Sequence, residues 1–296
     1  MKEIEAISPE TLEKLKLTLL EMMRDIDQIC KEHKLDYFLI GGTLLGAVRH
    51  KGFIPWDDDL DIAMPRKDYE KLIKIFKNNE NSKYILQSIE TDKNYWLPFA
   101  KVRKKNTLFD DLPTRNVKSH RGIFIDIFPL DDAHDEKNRK QNAKVRLAKL
   151  LKLIADFKTT ASITKEISGT KKYIIKNIVA ILFKPISTHR LLILQKKIIT
   201  NLADDDALYF INVGSQYSFK KQTMPKTMYY PSKELRFEEL ILKAPSEYIY
   251  FLERIYGKSY MELPPKDKRK THAPSKIIFD TNEGEHPRKL KKKVES

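Results

Sequence analysis

The stretch "LIGGTLLGAVRHKGFIPWDDDLDIAM", residues 39–64, decides how this chain is read. A short apolar run, Tyr37 to Ile40, has the look of a buried strand. Gly41-Gly42 break it, "TLLGAVRH" follows as a short helix, and "KGFIP" closes that helix. "LDIAM" reads as a second strand. Strand alternation puts Asp59 and Asp61 on one face and Leu60 and Ile62 on the other. Side-by-side carboxylates repel, which is costly unless a cation neutralises them. Hard oxygen ligands suit Mg²⁺ or Mn²⁺, held by one or two carboxylates plus substrate phosphate oxygens. The Gly-Gly turn supplies backbone N–H groups and room for a phosphate near a helix N-terminus. Asp57 and Asp58 are assigned to the turn that Trp56 begins.

Working outward, Ser8-Pro9-Glu10 reads as an N-cap, a helix-opening proline and a first-turn acid. Leu12, Leu15, Leu19, Met22, Met23, Ile26 and Ile29 then recur at helical spacing up to about "EHKLD". Pro65 begins another helix with a stripe of Tyr69, Leu72 and Ile73. "KYILQSIET", "WLPFAKVRKKNT" and "GIFIDIFPL" read as strands. The alternation of strands and helices through residue 130 argues for α/β or α+β. Asp126 shares a strand face with Phe124 and Phe128, while Ile125 and Ile127 point the other way. An acid placed there is buried at a cost or aimed at a metal, so beside the Asp-x-Asp it is the candidate third carboxylate. Lys101 and Arg103 share a strand face from which they can reach phosphate. Arg49 ends the short helix and suits a phosphate fork, although a solvated helix C-terminus accounts for it as well as for His50. The single cysteine, Cys30, lies in an apolar helical pattern and is expected in the core.

The ordered set of motifs closely resembles the signature of the LicD family, "GTLLGAVRH" followed by "IPWDDDLDI". "KVRKKNT", "GIFIDIFPLD", "FEEL", "YGKSYMELPP" and "KRKTH" resemble the family's later motifs in order. The likeness covers most of the chain, least clearly from about 135 to 200. It implies an α+β fold: a nucleotidyltransferase-like mixed-sheet core with an N-terminal helix and a largely helical basic sub-domain. The resulting division is 1–134 for the catalytic core, 135–200 for the basic helices, and 201–296 for a mixed region that completes the cleft. The resemblance implies metal-dependent transfer of phosphocholine from CDP-choline to a glycan, with CMP as the other product. CDP-ribitol or CDP-glycerol is the alternative donor. On that reading Asp59, Asp61 and Asp126 bind Mg²⁺ or Mn²⁺, and Gly41, Gly42 and Thr43 line the phosphate path. Asp126 is also the expected base for the acceptor hydroxyl. A choline head needs aromatic or acidic neighbours. Trp56, Tyr95, Trp96 and Phe99 are candidates, and Glu238 faces the ammonium on this reading. The role of His272 is open.

The net charge of +15 is unevenly placed. Residues 1–134 hold 22 Lys and Arg against 23 Asp and Glu, residues 135–200 hold 16 against 4, and residues 201–296 hold 18 against 14. A local excess argues for an anionic partner surface. "KVRLAKLLKLIADF" and "KKYIIKNIVAILFKPI" are basic and amphipathic, which suits the interface of an anionic membrane. Solvated lysines on helices packed against the core are the plainer account. The segment lacks the interleaved aromatics of a nucleic-acid groove, so no nucleic-acid partner is expected. No apolar run is long enough to span a bilayer. The polar, acidic N-terminus lacks the features of a signal peptide, which predicts a cytoplasmic protein, peripheral on the inner membrane face if the helices dock there.

Overall fold

The structure, a computed structural model, describes residues 7–79, 82–110, 119–160, 169–204, 206–265, 269 and 274–280. His272 and the basic tail lie outside them. Helix α1 (Pro9–Glu32) begins where the sequence predicts, with Ser8 Oγ accepting the Thr11 N–H at 3.1 Å. Its apolar stripe buries Leu15, Leu19, Met22, Met23 and Ile26 against the sheet. Cys30 is in the core, where burial pushes its thiol up to about 12.

The chain then runs through β1 (Phe38–Leu39), α2 (Gly41–Arg49), β2 (Asp61–Pro65), α3 (Arg66–Lys77), β3 (Tyr84–Gln87), β4 (Ala100–Lys104), β5 (Leu108–Asp110) and β6 (Phe124–Ala133). The central sheet has the order β1-β2-β6-β4-β3. β2 and β6 are parallel, and the other pairs along that path are antiparallel. This mixed sheet with segregated helices is the α+β class. Ile62, Ile127, Ile125, Ala100 and Val102, all fully buried, fill the core. α3 is pinned to β6 by the Arg66 guanidinium, which donates to Asp131 at 2.7 and 2.8 Å. Burial of this bidentate pair is tolerable because both charges are satisfied in fork geometry.

The basic segment forms α4 (Arg139–Thr160), α5 (Thr170–Leu182) and α6 (Thr188–Ile199). α4 and α6 cover two smaller clusters, one of which includes Tyr95 and Trp96. β7 (Tyr209–Ile211) then extends the sheet beside the second half of β6, and after α7 (Phe219–Gln222), β8 (Thr223–Pro225) pairs with β7. The chain continues through the hairpin β9 (Lys233–Phe237) and β10 (Leu240–Ala244), α8 (Tyr248–Tyr256), and β11 (Lys276–Ile278) paired with β5. Phe210, Met224, Phe237, Leu242, Phe251 and Ile255 all enter the main core. The region after 201 is therefore packed into the same core as the N-terminal strands.

Two local expectations are corrected. β2 starts at Asp61, so Asp59 sits on the approach to the strand and not within it. The Gly-Gly pair forms the first residues of α2, with Gly41 at φ +57°, instead of a turn ahead of that helix. The strand-like readings of 83–91 and 96–107 also shrink to β3 and β4.

Candidate active site

One lateral row of the sheet brings candidate residues together. Asp61 on β2 pairs in register with Asp126 on β6, Asp126 with Lys101 on β4, and Lys101 with Gln87 on β3. Lateral neighbours in a pleated sheet project from the same face. The row is therefore two acids, one cation and one amide, side by side. Lys101 Nζ donates to Asp126 Oδ1 at 2.5 Å, and both residues are buried. The same ammonium lies 3.4 Å from the centroid of Phe124, which adds a cation–π contact. Asp61 keeps an exposed edge, yet burial of its carboxyl, with Asp59 and Asp126 nearby, holds its pKa well above the usual carboxylate range. Lys101 opposes that shift and does not cancel it.

The helix before this row is shaped around the acids. A Cβ on Gly41 would stand 2.9 Å from Asp61 Oδ2, and one on Gly42 would stand 2.7 Å from Asp57 Oδ2. Both glycines are required by close approach, and Gly41 also by its left-handed backbone. Thr43 Oγ1 accepts the Asp61 N–H at 2.8 Å, fixing where β2 begins. Thr43 is thus a positioning residue beneath the site and does not line either large cavity.

Two cavities meet at the acids and share Asp59, Asp61 and Gln216. The first, of about 720 Å³, is lined by Gly42, Arg49, Trp56, Asp57, Asp58, Tyr217, Tyr256, Tyr260 and Glu262 among others. Tyr217 and Tyr256 pack edge to face at 5.7 Å. The second, of about 440 Å³, is lined by Asp126, Phe99, Phe128, Gly214, Lys149, Lys152 and Asp156.

Residues 34–149 match the family described as LicD/FKTN/FKRP, nucleotidyltransferase domain. Over that stretch the chain is similar to the LicD nucleotidyltransferase domain. It is 28% identical over 268 residues to a lipopolysaccharide cholinephosphotransferase, LicD, of Haemophilus influenzae, covering 88% of this chain and 96% of that one. Two uncharacterised proteins, from Rickettsia typhi and Rickettsia prowazekii, are each 41% identical over 68 residues, covering 22% and 23% of this chain and 22% and 26% of theirs.

The expected site residues divide into groups. Asp59, Asp61 and Asp126 line one cavity, and Gly41 and Gly42 line a smaller one with Asp61. Arg49 lines the first cavity, where Nη1 donates to the carbonyls of Tyr260 and Glu262 at 2.9 and 3.0 Å. It tethers the 257–265 segment over the site, and His50 accepts from its Nε. Lys101 faces Asp126. Arg103 does not reach the cleft: it is buried, donates to Gln87 Oε1 at 2.6 Å and the Gly122 carbonyl at 2.8 Å, and stacks on Phe124. Glu238 is also elsewhere. Its carboxylate accepts the Phe53 N–H at 2.9 Å and closes the loop after α2, leaving no room for a side chain at Gly52. Among the aromatic candidates, Trp56 lines the first cavity and Phe99 the second, while Tyr95 and Trp96 are core residues. Gln216, Tyr217, Tyr256, Tyr260, Lys149 and Lys152 escaped sequence reasoning, because no local pattern ties residues so far along the chain to the aspartates.

Among the described residues, no three His, Cys, Asp or Glu side chains are gathered closely enough to hold a metal ion as they stand. The donor chemistry still fits a hard divalent cation. Asp59 and Asp61 line the same cavity, and burial, followed by the charges of Asp59 and Asp126, raises the Asp61 pKa. Asp126 is already matched by Lys101. Two carboxylates completed by substrate phosphate oxygens are a common arrangement for Mg²⁺.

Proposed function

We propose that the chain is a phosphotransferase that moves phosphocholine from CDP-choline to a glycan and releases CMP. The observation that carries this reading is the Asp61–Asp126–Lys101 row, set beside an aromatic, acidic cavity. Trp56, Tyr217, Tyr256 and Tyr260 with Asp57, Asp58 and Glu262 line that cavity. Aromatic faces and carboxylates suit a quaternary ammonium, which favours choline over the neutral ribitol or glycerol of the alternative donors. The LicD domain and the Haemophilus relative's printed activity support the same class of reaction.

In this mechanism Asp59 and Asp61 hold Mg²⁺ or Mn²⁺, with Asp126 beside them. When bound, that ion supplies charge neutralisation to the pyrophosphate and to the departing CMP. Gly41 and Gly42 let the carboxylates of Asp61 and Asp57 lie close against α2. Asp126, oriented by Lys101, accepts the proton of the acceptor hydroxyl. Arg49 holds the 257–265 segment at the first cavity through the Tyr260 and Glu262 carbonyls.

The test is CMP release from a panel of CDP-choline, CDP-ribitol, CDP-glycerol, UDP-sugars and nucleoside triphosphates with Mg²⁺ or Mn²⁺. Release from CDP-choline is expected, and Asp59→Ala is expected to slow it about a hundredfold or more, the several kcal/mol that metal-ion stabilisation contributes. Full activity of Asp59→Ala, or release from CDP-ribitol alone, overturns the assignment.

The reading extends to where the enzyme works. No helix among the described residues is long and apolar enough to cross a membrane. α5 nevertheless exposes Ile174, Ile175, Ile178, Ile181 and Leu182, with Lys171 and Lys172 at its start, while Lys176 is turned inward. An outward apolar face flanked by lysines suits peripheral contact with an anionic bilayer.

A further inference from the structure

The second cavity has a wall that nothing in the phosphocholine reading uses. Lys149 and Lys152 of α4 line it together with Asp59, Asp61 and Asp126. Lys149 Nζ reaches the Tyr217 carbonyl at 3.1 Å, and Lys152 pairs with Asp156 at 2.6 Å. The wall therefore holds two lysines against one carboxylate. Lys149 is half-buried, and burial followed by the charge of Lys152 depresses its pKa. Two ammonium groups thus share a cavity with Asp61 and Asp126 of the row.

We propose that Lys149 and Lys152 form an acceptor subsite that binds a phosphate group carried by the glycan. This inference rests on the transferase reading and adds a residue-level account of its second substrate. Group transfer at phosphorus places the incoming hydroxyl and the departing CMP on opposite sides. The two cavities meet at Asp59 and Asp61, which gives each substrate its own approach. The first cavity is lined by aromatic and acidic residues with Arg49 as its cation. The second offers Phe99 and Phe128, on which a sugar ring can stack, and the lysine pair beyond them. A phosphate held there sets the acceptor hydroxyl toward Asp126. No new bond change is involved: the acceptor oxygen bonds to the choline-bearing phosphorus, CMP leaves, and the proton goes to Asp126.

The experiment measures binding of glucose 6-phosphate, with glucose as the uncharged control, to the full chain by calorimetry with Mg²⁺ present. The wild type is expected to bind the phosphate sugar and not glucose. Lys149→Gln/Lys152→Gln is expected to weaken it about tenfold or more, as losing charge-assisted hydrogen bonds does. Lys149→Arg/Lys152→Arg is expected to retain it, and the affinity to fall with ionic strength. Absence of binding by the wild type, or equal binding by the Gln pair, overturns the proposal. So does loss on Arg49→Gln alone, which would place the phosphate in the first cavity. A matching loss of CDP-choline affinity in the Gln pair overturns it too, because the lysines would then serve the donor. Since binding is read without turnover, failure of CDP-choline to release CMP counts against the reaction and leaves this result legible.

Discussion

Asp61 carries a charge that the fold tolerates poorly. Its carboxyl is pushed above its ordinary value by burial first, then by Asp59 and Asp126. A group with a raised folded-state pKa contributes most to stability below its unfolded pKa, and loses that contribution as pH rises through the folded value. In EDTA at neutral pH, Asp61→Asn is therefore expected to raise Tm, by roughly 2–4 °C for each kcal/mol relieved. The gain should shrink toward zero as pH falls below the usual carboxylate range. Thermal melts in EDTA from acid to neutral pH check this, and a stability loss at neutral pH would contradict it. The importance of Asp61 is legible in the sequence, since two acids spaced by one apolar residue predict shared orientation. The relation to Asp59 is less so: the strand begins only at Asp61, where Thr43 accepts its N–H. That contact comes from another element, so strand alternation cannot foresee it.

At the level of elements, the register of β2, β6 and β4 is what turns separate residues into a site. Lys101 and Arg103 are equivalent in sequence, two residues apart on one strand face. Pairing gives Lys101 to Asp126, and places Arg103 opposite Phe124 and against Gln87. Breaking one partner of a buried ion pair strands the other charge. Lys101→Met is expected to cost about 3 kcal/mol, read by denaturant unfolding. Lys101→Met/Asp126→Asn should recover much of that loss while remaining inactive. A single variant as stable as the wild type would show that Asp126 has another cation. The identity of each strand was readable from apolar alternation, but lateral register across a crossover is set by how the strands pack, and no local pattern encodes it.

Over the whole molecule, the basic excess divides into parts with different surroundings. Lys149 and Lys152 line the second cavity, Lys176 is buried, and Lys171 and Lys172 flank the exposed isoleucines of α5. The protein is expected to pellet with phosphatidylglycerol vesicles at low salt. Ile178→Asp/Ile181→Asp should abolish pelleting with little change in Tm, since both side chains are exposed. Lys171→Gln and Lys172→Gln should each weaken it by about 1 kcal/mol, roughly fivefold. Failure of the wild type to pellet would return the lysines to ordinary solvation. The amino-acid sequence by itself determined the helix–glycine–acid signature, the strand character around Asp126 and the segment that holds the positive charge, because these depend on near neighbours and on period. Only the tertiary structure decided that Lys101 neutralises Asp126, that Glu238 closes a loop, and that Tyr217, Tyr256 and Lys149 join aspartates far away in the chain. Those facts follow from sheet register and from packing the C-terminal third into one core, where contact depends on distance in space and not along the chain.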